Sequence, residues 1–176
     1  MNTLETIYSR KSVRSYTGES ISEEELDIIL KAANAAPVGL AKYENMHLTV
    51  ISNADLLKKI EANAAQVMGN PDLHVCYGAP MFILVSTREP APTGQNIAYS
   101  NAAIIAHNMA LAATELGIGT CHIWGAIGTL AANPELVKEF NLPEGFIPCC
   151  GVVLGKTDAE YEVREIPDRI TKNVIK

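Results

Sequence analysis

The sequence predicts a mixed α/β (α+β) fold, a central sheet covered by helices, on three observations. Apolar residues recur at three- and four-residue intervals in some segments and run continuously over strand lengths in others, and the two kinds alternate along most of the chain. With 176 residues, 48% hydrophobic and 19% charged, the chain can bury one core without staples but cannot hold a cofactor domain beside a separate substrate domain. No internal repeat, low-complexity tract or linker divides it, so residues 1–176 are expected to form a single domain.

A short helical stretch precedes Arg10 and ends before the turn Tyr16-Thr17-Gly18. Leu26, Ile29, Leu30 and Ala33 then follow Ser22, with Glu25 three residues after it as a capping-box partner, which predicts a helix over 22–35 stopped by Pro37. Pro37-Val38-Gly39-Leu40 reads as a loop. Met46 to Ile51 reads as a strand, its run of apolar and β-branched residues predicting burial on both faces. Ser52 or Asn53 caps a helix through Leu56, Leu57, Ile60 and Ala64, ended by Gly69-Asn70-Pro71. Pro80 to Ser86 is a central strand by its unbroken apolar run, and Arg88 to Gly94, with Pro90, Pro92 and Gly94, is a loop or lid. The longest helix spans 96–116 and stops at Gly117; its wealth of alanine and lack of charge predict packing on more than one side, in a core or against a second chain. Ile118 to Gly125 is a strand entering a Gly-marked turn, Asn133-Pro134-Glu135 opens a short helix, and Ile147 to Gly155 is a further buried strand. In the tail from Lys156, Tyr161, Val163, Ile166, Ile170, Val174 and Ile175 need a surface to pack on, which predicts a wrap.

Net charge −6 excludes a general nucleic-acid binder, which needs surplus Lys and Arg against phosphates. The start Met1-Asn2-Thr3-Leu4-Glu5 lacks a signal-peptide pattern and no apolar stretch reaches spanning length, so a soluble cytoplasmic protein with no membrane partner is expected. Cys76, Cys121, Cys149 and Cys150 lie in apolar surroundings and read as reduced core residues, the adjacent pair pointing to opposite faces of its strand.

Against this acidic background, Arg10, Lys11 and Arg14 place three of fourteen basic residues within five positions. Two guanidiniums, an ammonium and the Ser12 hydroxyl in one loop form a donor set for a phosphate monoester, because Arg offers a planar fork and Ser a short neutral donor. A solvated basic turn is the competing reading. No G-x-G-x-x-G follows a first strand, no Walker A motif exists, and Gly117-Ile118-Gly119 enters a strand, the wrong setting for a dinucleotide fingerprint. His74 and Cys76, with Cys121 or His122, match no zinc spacing, so no metal site is expected. His107 reads as a packed helix residue, Trp124 as a stacking or a core side chain, and Glu23-Glu24-Glu25 as first-turn charge.

Arg10-Lys11-Ser12-Val13-Arg14-Ser15-Tyr16 followed by Ile21-Ser22-Glu23-Glu24-Glu25-Leu26 resembles the N-terminal signature of the nitroreductase family. The likeness continues through Ala36-Pro37, the strand Pro80 to Val85, Asn108, Glu115-Leu116-Gly117-Ile118-Gly119-Thr120-Cys121, Gly151 to Gly155, and Arg164 before Pro167. The motifs occur in family order over nearly the whole chain. The resemblance implies a central, mainly antiparallel sheet flanked by helices, an intertwined homodimer, and an FMN cofactor shared between the two chains. It assigns the phosphate and ribityl chain to Arg10, Lys11, Ser12, Arg14 and the tail arginine Arg164. It assigns contacts from the other subunit to Pro37, Val38 and Gly39, with Leu40 less firmly, and the reactive edge of the flavin ring to backbone groups of His122, Ile123, Trp124 and Gly125.

The activity implied is an oxidoreductase in which NADH or NADPH reduces a small electron-poor acceptor, a nitroaromatic or a quinone, in ping-pong order. No side chain is expected to be catalytic, since flavin N5 carries the chemistry and the protein supplies orientation and electrostatics. The chain departs from the family at Val38-Gly39-Leu40-Ala41-Lys42-Tyr43-Glu44-Asn45, where many members carry a Ser-rich loop ending in Asn-x-Gln-Pro-Trp. Backbone contacts would replace side-chain ones there, with Lys42 or Tyr43 at the pocket mouth. Asn63 and Asn70 both remain open for the flavin pyrimidine. The altered loop leaves room for an alternative, a flavin-binding or storage protein with little turnover, and a phosphate-ligand module without flavin is a third reading.

Overall fold

A computed structural model of the chain describes all residues, Met1–Lys176. Four strands, β1 (Met46–Ile51), β2 (Met81–Arg88), β3 (Gly119–Ile123) and β4 (Phe146–Gly155), pair in the order β1-β2-β4-β3, and every pairing is antiparallel. Six α-helices accompany them: α1 (Thr3–Ser9), α2 (Glu23–Asn34), α3 (Ala54–Met68), α4 (Gln95–Glu115), α5 (Gly125–Leu130) and α6 (Pro134–Lys138).

The middle strands explain their own composition. Met81, Ile83 and Val85 of β2 face a core shared with Ile29 and Ala33 of α2 and with Ala102, Ile105, Ala106 and Met109 of α4. Phe82 and Leu84 face the opposite core, with Leu57 and Ile60 of α3, Ala126 and Leu130 of α5 and Leu136 of α6. Helices on both faces require apolar residues at both strand periodicities, hence the unbroken run. The same reasoning fails for β1. It was expected to be buried on both faces, but only Ile51 is buried and the rest are half-buried or exposed, because β1 is an outer strand paired with β2 alone.

Caps fall where side-chain chemistry put them. Ser22 and Glu25 form a capping box on α2, Asn53 caps α3, Asn133 caps α6, and Gly69 (φ 64°) ends α3 in the left-handed region that glycine adopts without strain. Asn2 and Glu5 form a second capping box on α1. Two expectations need correction. The segment after β3 is not a turn but α5; its two glycines disguise a helix that packing of Ala126 and Leu130 stabilises. Cys149 and Cys150 do not point to opposite cores. Val85 pairs with Cys150 and Ser86 with Pro148, so Cys149 is the extra residue of a β-bulge and both thiols join the α2–α4 core. All four cysteines are free and buried.

The tail adds neither helix nor strand. Tyr161 is half-buried, whereas Ile170, Val174 and Ile175 are 87%, 73% and 97% exposed, so this chain alone does not supply the surface they were expected to cover. No helix is long and apolar enough to cross a membrane.

Candidate functional site

The basic segment is held by its one apolar residue. Val13 is 4% exposed and donates its N–H to the Thr120 carbonyl of β3 at 2.9 Å, so Ser12 and Arg14 on either side of it face outward. The Tyr16 hydroxyl closes the following turn by donating to the Val13 carbonyl at 2.9 Å. Its ring lies over two glycines: a Cβ on Gly119 or Gly155 would stand 3.0 or 3.1 Å from Tyr16 ring carbons. Those positions are glycine because the aromatic ring occupies the space of a side chain.

The tail completes the fastening. Tyr161 donates its hydroxyl to the Ile118 carbonyl at 2.8 Å. The Arg164 guanidinium donates to the Tyr8 carbonyl at 2.9 Å and the Arg10 carbonyl at 2.6 Å, which brings this distant arginine to the cation segment and uses part of its donor fork on the backbone there. Lys11 donates to the Glu160 carbonyl and lies 5.7 Å from the Tyr161 ring centroid. Arg14 sits 5.6 Å over the Tyr77 ring. Not one of Arg10, Lys11, Arg14 and Arg164 is in an ion pair. Two buried hydroxyls beside the segment, Ser9 Oγ and Thr120 Oγ1, have no hydrogen-bond partner. Cations without counter-charge, held at one edge of β3 with polar atoms unsatisfied, are chemically suited to an organic phosphate.

Beside this segment, His122 of β3 stacks on His107 of α4, ring centroids 5.8 Å apart and planes at 29°. Burial, then His107, then Arg10 lower the proton affinity of His122 to a pKa of about 4. Burial and Arg10 likewise lower that of His107. Both rings therefore stay neutral near pH 7 and add no charge to the cations. His107 was expected only as a packed helix residue; its pairing depends on the register of α4 over β3, which no local pattern carries. Ile123 is buried, and Trp124 is 53% exposed, so Trp124 is not a core residue. Gly125 opens α5.

The predicted loop contacts lie elsewhere. Gly39 donates its N–H to Asn101 Oδ1 of α4 at 3.0 Å, and a Cβ there would meet Ile97 at 2.9 Å. Val38 is buried and Pro37 exposed. Asn101 precedes His107 by six residues, roughly 9 Å along the helix axis and about 120° around it. Pro37, Val38 and Gly39 thus lie against the N-terminal half of α4, and no hydrogen bond joins them to Arg10, Lys11, Ser12 or Arg14. Of the two asparagines left open, Asn63 is buried and donates to the Thr129 carbonyl and hydroxyl, while Asn70 is exposed and accepts from the Asp72 N–H. No group of three or more His, Cys, Asp or Glu side chains is placed to hold a metal ion.

Comparison with known proteins bears on the same segments. A family model described as the nitroreductase family matches residues 7–156. A Methanothermobacter thermautotrophicus protein provisionally named NADH dehydrogenase/NAD(P)H nitroreductase is 30% identical over 97% of this chain and 86% of its own length. An FMN reductase (NADPH) of Bacillus subtilis is 26% identical, over 88% of this chain and 65% of that longer protein. A crystal structure of a nitroreductase with bound FMN from Desulfitobacterium hafniense superposes with a TM-score of 0.84 at 28% identity, covering 99% of this chain and all of that one.

Proposed function

The chain belongs to the nitroreductase family, and from that premise we propose that it is an FMN-dependent oxidoreductase in which NAD(P)H reduces nitroaromatics, quinones or similar electron-poor acceptors. For a quinone the net reaction is NAD(P)H + H⁺ + quinone → NAD(P)⁺ + hydroquinone. When bound, FMN supplies a two-electron carrier that donor and acceptor meet in turn, in ping-pong order. The observation that carries the reading is the uncompensated cation segment fastened to β3 and the tail.

Arg10, Lys11, Ser12 and Arg14 would hold the phosphate and ribityl chain, with Arg164 bracing the carbonyls of Tyr8 and Arg10 and completing the positive field. A phosphate monoester carries close to two negative charges, which relieves the mutual repulsion of these cations. His122, Ile123, Trp124 and Gly125 would border the ring. Only His122 titrates among them, and its low proton affinity keeps it uncharged, so this edge offers backbone groups in place of an acid or base.

Pro37, Val38 and Gly39 would serve the pocket of a second copy, which makes the working unit a homodimer. Leu4, Ile7 and Tyr8 on α1 and Ile97, Tyr99 and Ile104 on α4 are exposed apolar side chains suited to that contact, and the apolar tail end is suited to strap the partner. We place the protein in the cytoplasm, where nicotinamide donors are held and free thiols stay reduced.

Purified protein loaded with FMN and mixed anaerobically with NADH or NADPH tests this. Rapid bleaching of the flavin absorbance, restored by a quinone, is expected. Protein that retains FMN without bleaching would instead be a flavin-storage protein, and protein that binds no FMN would overturn the reading.

A further inference from the structure

A groove of about 340 Å³, within the size range of small-molecule sites, lies away from the cation segment. It runs between the turn over residues 39–45 and the loop over residues 88–94, with the start of α4 beneath. Leu40, Met46, Pro90 and Ile97 give it apolar walls, and Lys42 and Arg88 line it with only Glu89 of opposite sign. Neither cation is in an ion pair. The Arg88 guanidinium lies 5.0 Å over the Phe146 ring, which orients its plane without engaging a carboxylate.

The turn is held in a conformation its own packing does not reward. Leu40 and Ala41 have φ of 56° and 53°, in the left-handed region that L side chains rarely adopt, and the Leu40 side chain is 85% exposed. Backbone strain that gains no burial within the chain concentrates where a segment is shaped for a ligand. A net positive groove is also unexpected on a chain of net charge −6, which as a whole repels anions.

We propose that this groove is the acceptor seat and that it selects aromatic acids: a flat ring against Leu40 and Ile97, with its carboxylate on Lys42 and Arg88. The inference rests on the function proposed above, which sets residues 37–39 of one chain beside the flavin of the other. Charge complementarity chooses the occupant, because apolar walls alone accept any ring, whereas two cations lacking a carboxylate partner favour one that carries an anion.

The test uses FMN-loaded protein and a matched pair of probes, 4-nitrobenzoate and the neutral 4-nitrobenzamide. Each undergoes R–NO₂ + NAD(P)H + H⁺ → R–NO + NAD(P)⁺ + H₂O, with the nitro group reduced by two electrons and its oxygen leaving as water. The unaltered protein should prefer the acid in kcat/KM. Lys42→Gln and Arg88→Gln should each lower the ratio of acid to amide about tenfold, and Arg88→Lys should restore part of it. Calorimetric titration of 4-nitrobenzoate without NAD(P)H should show the same loss as a rise in Kd. Failure to turn over even the amide would remove the underlying function. Turnover of the amide with an acid-to-amide ratio unmoved by the substitutions, or a change in NADPH-over-NADH preference in its place, would overturn the aromatic-acid seat alone.

Discussion

The two halves of α4 border regions built on opposite plans. Around its C-terminal half the cation segment is fixed by bonds that span the chain, from Val13 to Thr120, from Tyr161 to Ile118 and from Arg164 to Tyr8 and Arg10. Around its N-terminal half the turn over residues 39–45 is tied at one end to α4 by the Gly39 to Asn101 bond and at the other to β2 by the Thr87 hydroxyl, which donates to the Asn45 carbonyl. Between those ends it rests on short local bonds and left-handed residues. A group bound through a dianion gains most from donors already in place, since ordering them at binding would subtract from affinity. A seat for varied acceptors needs shape and one charge preference, which a short turn can carry and sequence change can alter without disturbing the cofactor end.

The largest effect should come from breaking the first plan. Arg10→Ala with Arg14→Ala removes two charge-assisted contacts of about 1.5–3 kcal/mol each, so FMN affinity should fall by roughly 10²–10⁴-fold. Flavin fluorescence quenching on titration measures it. Loss of one charge at Lys58, on the surface of α3 and paired only with Asp55, should change the affinity less than about twofold. Comparable losses at both places would mean that net charge, and not the fastened segment, holds the cofactor.

Next in size is Gly155→Ala. Its Cβ would fall 2.5 Å from Pro80 Cδ, which must move, and 3.1 Å from the Tyr16 ring, which must give by a few tenths of an ångström and so disturbs the hydroxyl bond that closes the Val13 turn. Overpacking of this kind costs about 1–3 kcal/mol, and urea denaturation should show it together with weaker FMN binding. Lost stability with unchanged affinity would separate the Tyr16 turn from the site.

These residues also show where sequence reading succeeded. Every strand and the five helices with a capping residue or regular apolar spacing were legible, because the signals are local: Ser22 with Glu25, Asn53, Pro134 and the apolar run of β2. The short α5 was missed because Gly125 and Gly128 have poor helix propensity and its stability comes from contact with α3. The Cys149 bulge was missed because strand alternation assumes regular pairing. The cation cluster was legible as composition. The His107–His122 stack and the docking of Tyr16 over Gly119 and Gly155 depend on which elements meet, and only the folded chain states that.

A smaller effect follows from the histidine stack. His122 titrates near 4 in the folded chain against an ordinary 6.5, so as pH falls from about 6.5 to about 4 the unfolded chain takes up the proton first and stability declines through that window. Allowing for its partial exposure, the loss should be about 1–2 kcal/mol in flavin-free protein. Glu25 and Glu115, lowered by Lys156 and by the N-terminal amine respectively, lose their contributions only below the ordinary carboxylate value of 4.5, outside most of that window. Urea midpoints between pH 7 and pH 5, in roughly half-unit steps, should fall in the unaltered protein, fall less in His122→Gln, where burial and Arg10 still lower the proton affinity of His107, and stay nearly level when His107→Gln is added. A slope retained in the double variant would assign the acid sensitivity to other groups.

The smallest effect tests the second plan from the side of stability. Leu40 holds φ 56° while 85% exposed, so Leu40→Gly removes left-handed strain and loses almost no buried area. The strain of a non-glycine residue there is about 1 kcal/mol, and the added freedom of glycine in the unfolded chain offsets part of it. Stability should therefore rise by about 0.5 kcal/mol or remain level, read as a small upward shift of the urea midpoint. At the same time KM for aromatic acceptors should increase several-fold, because the ring loses its apolar wall, while FMN affinity stays within about twofold. A strained residue whose removal stabilises the chain and weakens acceptor binding is shaped for the acceptor. If Leu40→Gly instead lowers stability and leaves KM unchanged, the turn serves the fold, and the contrast between the two ends of α4 loses its functional meaning.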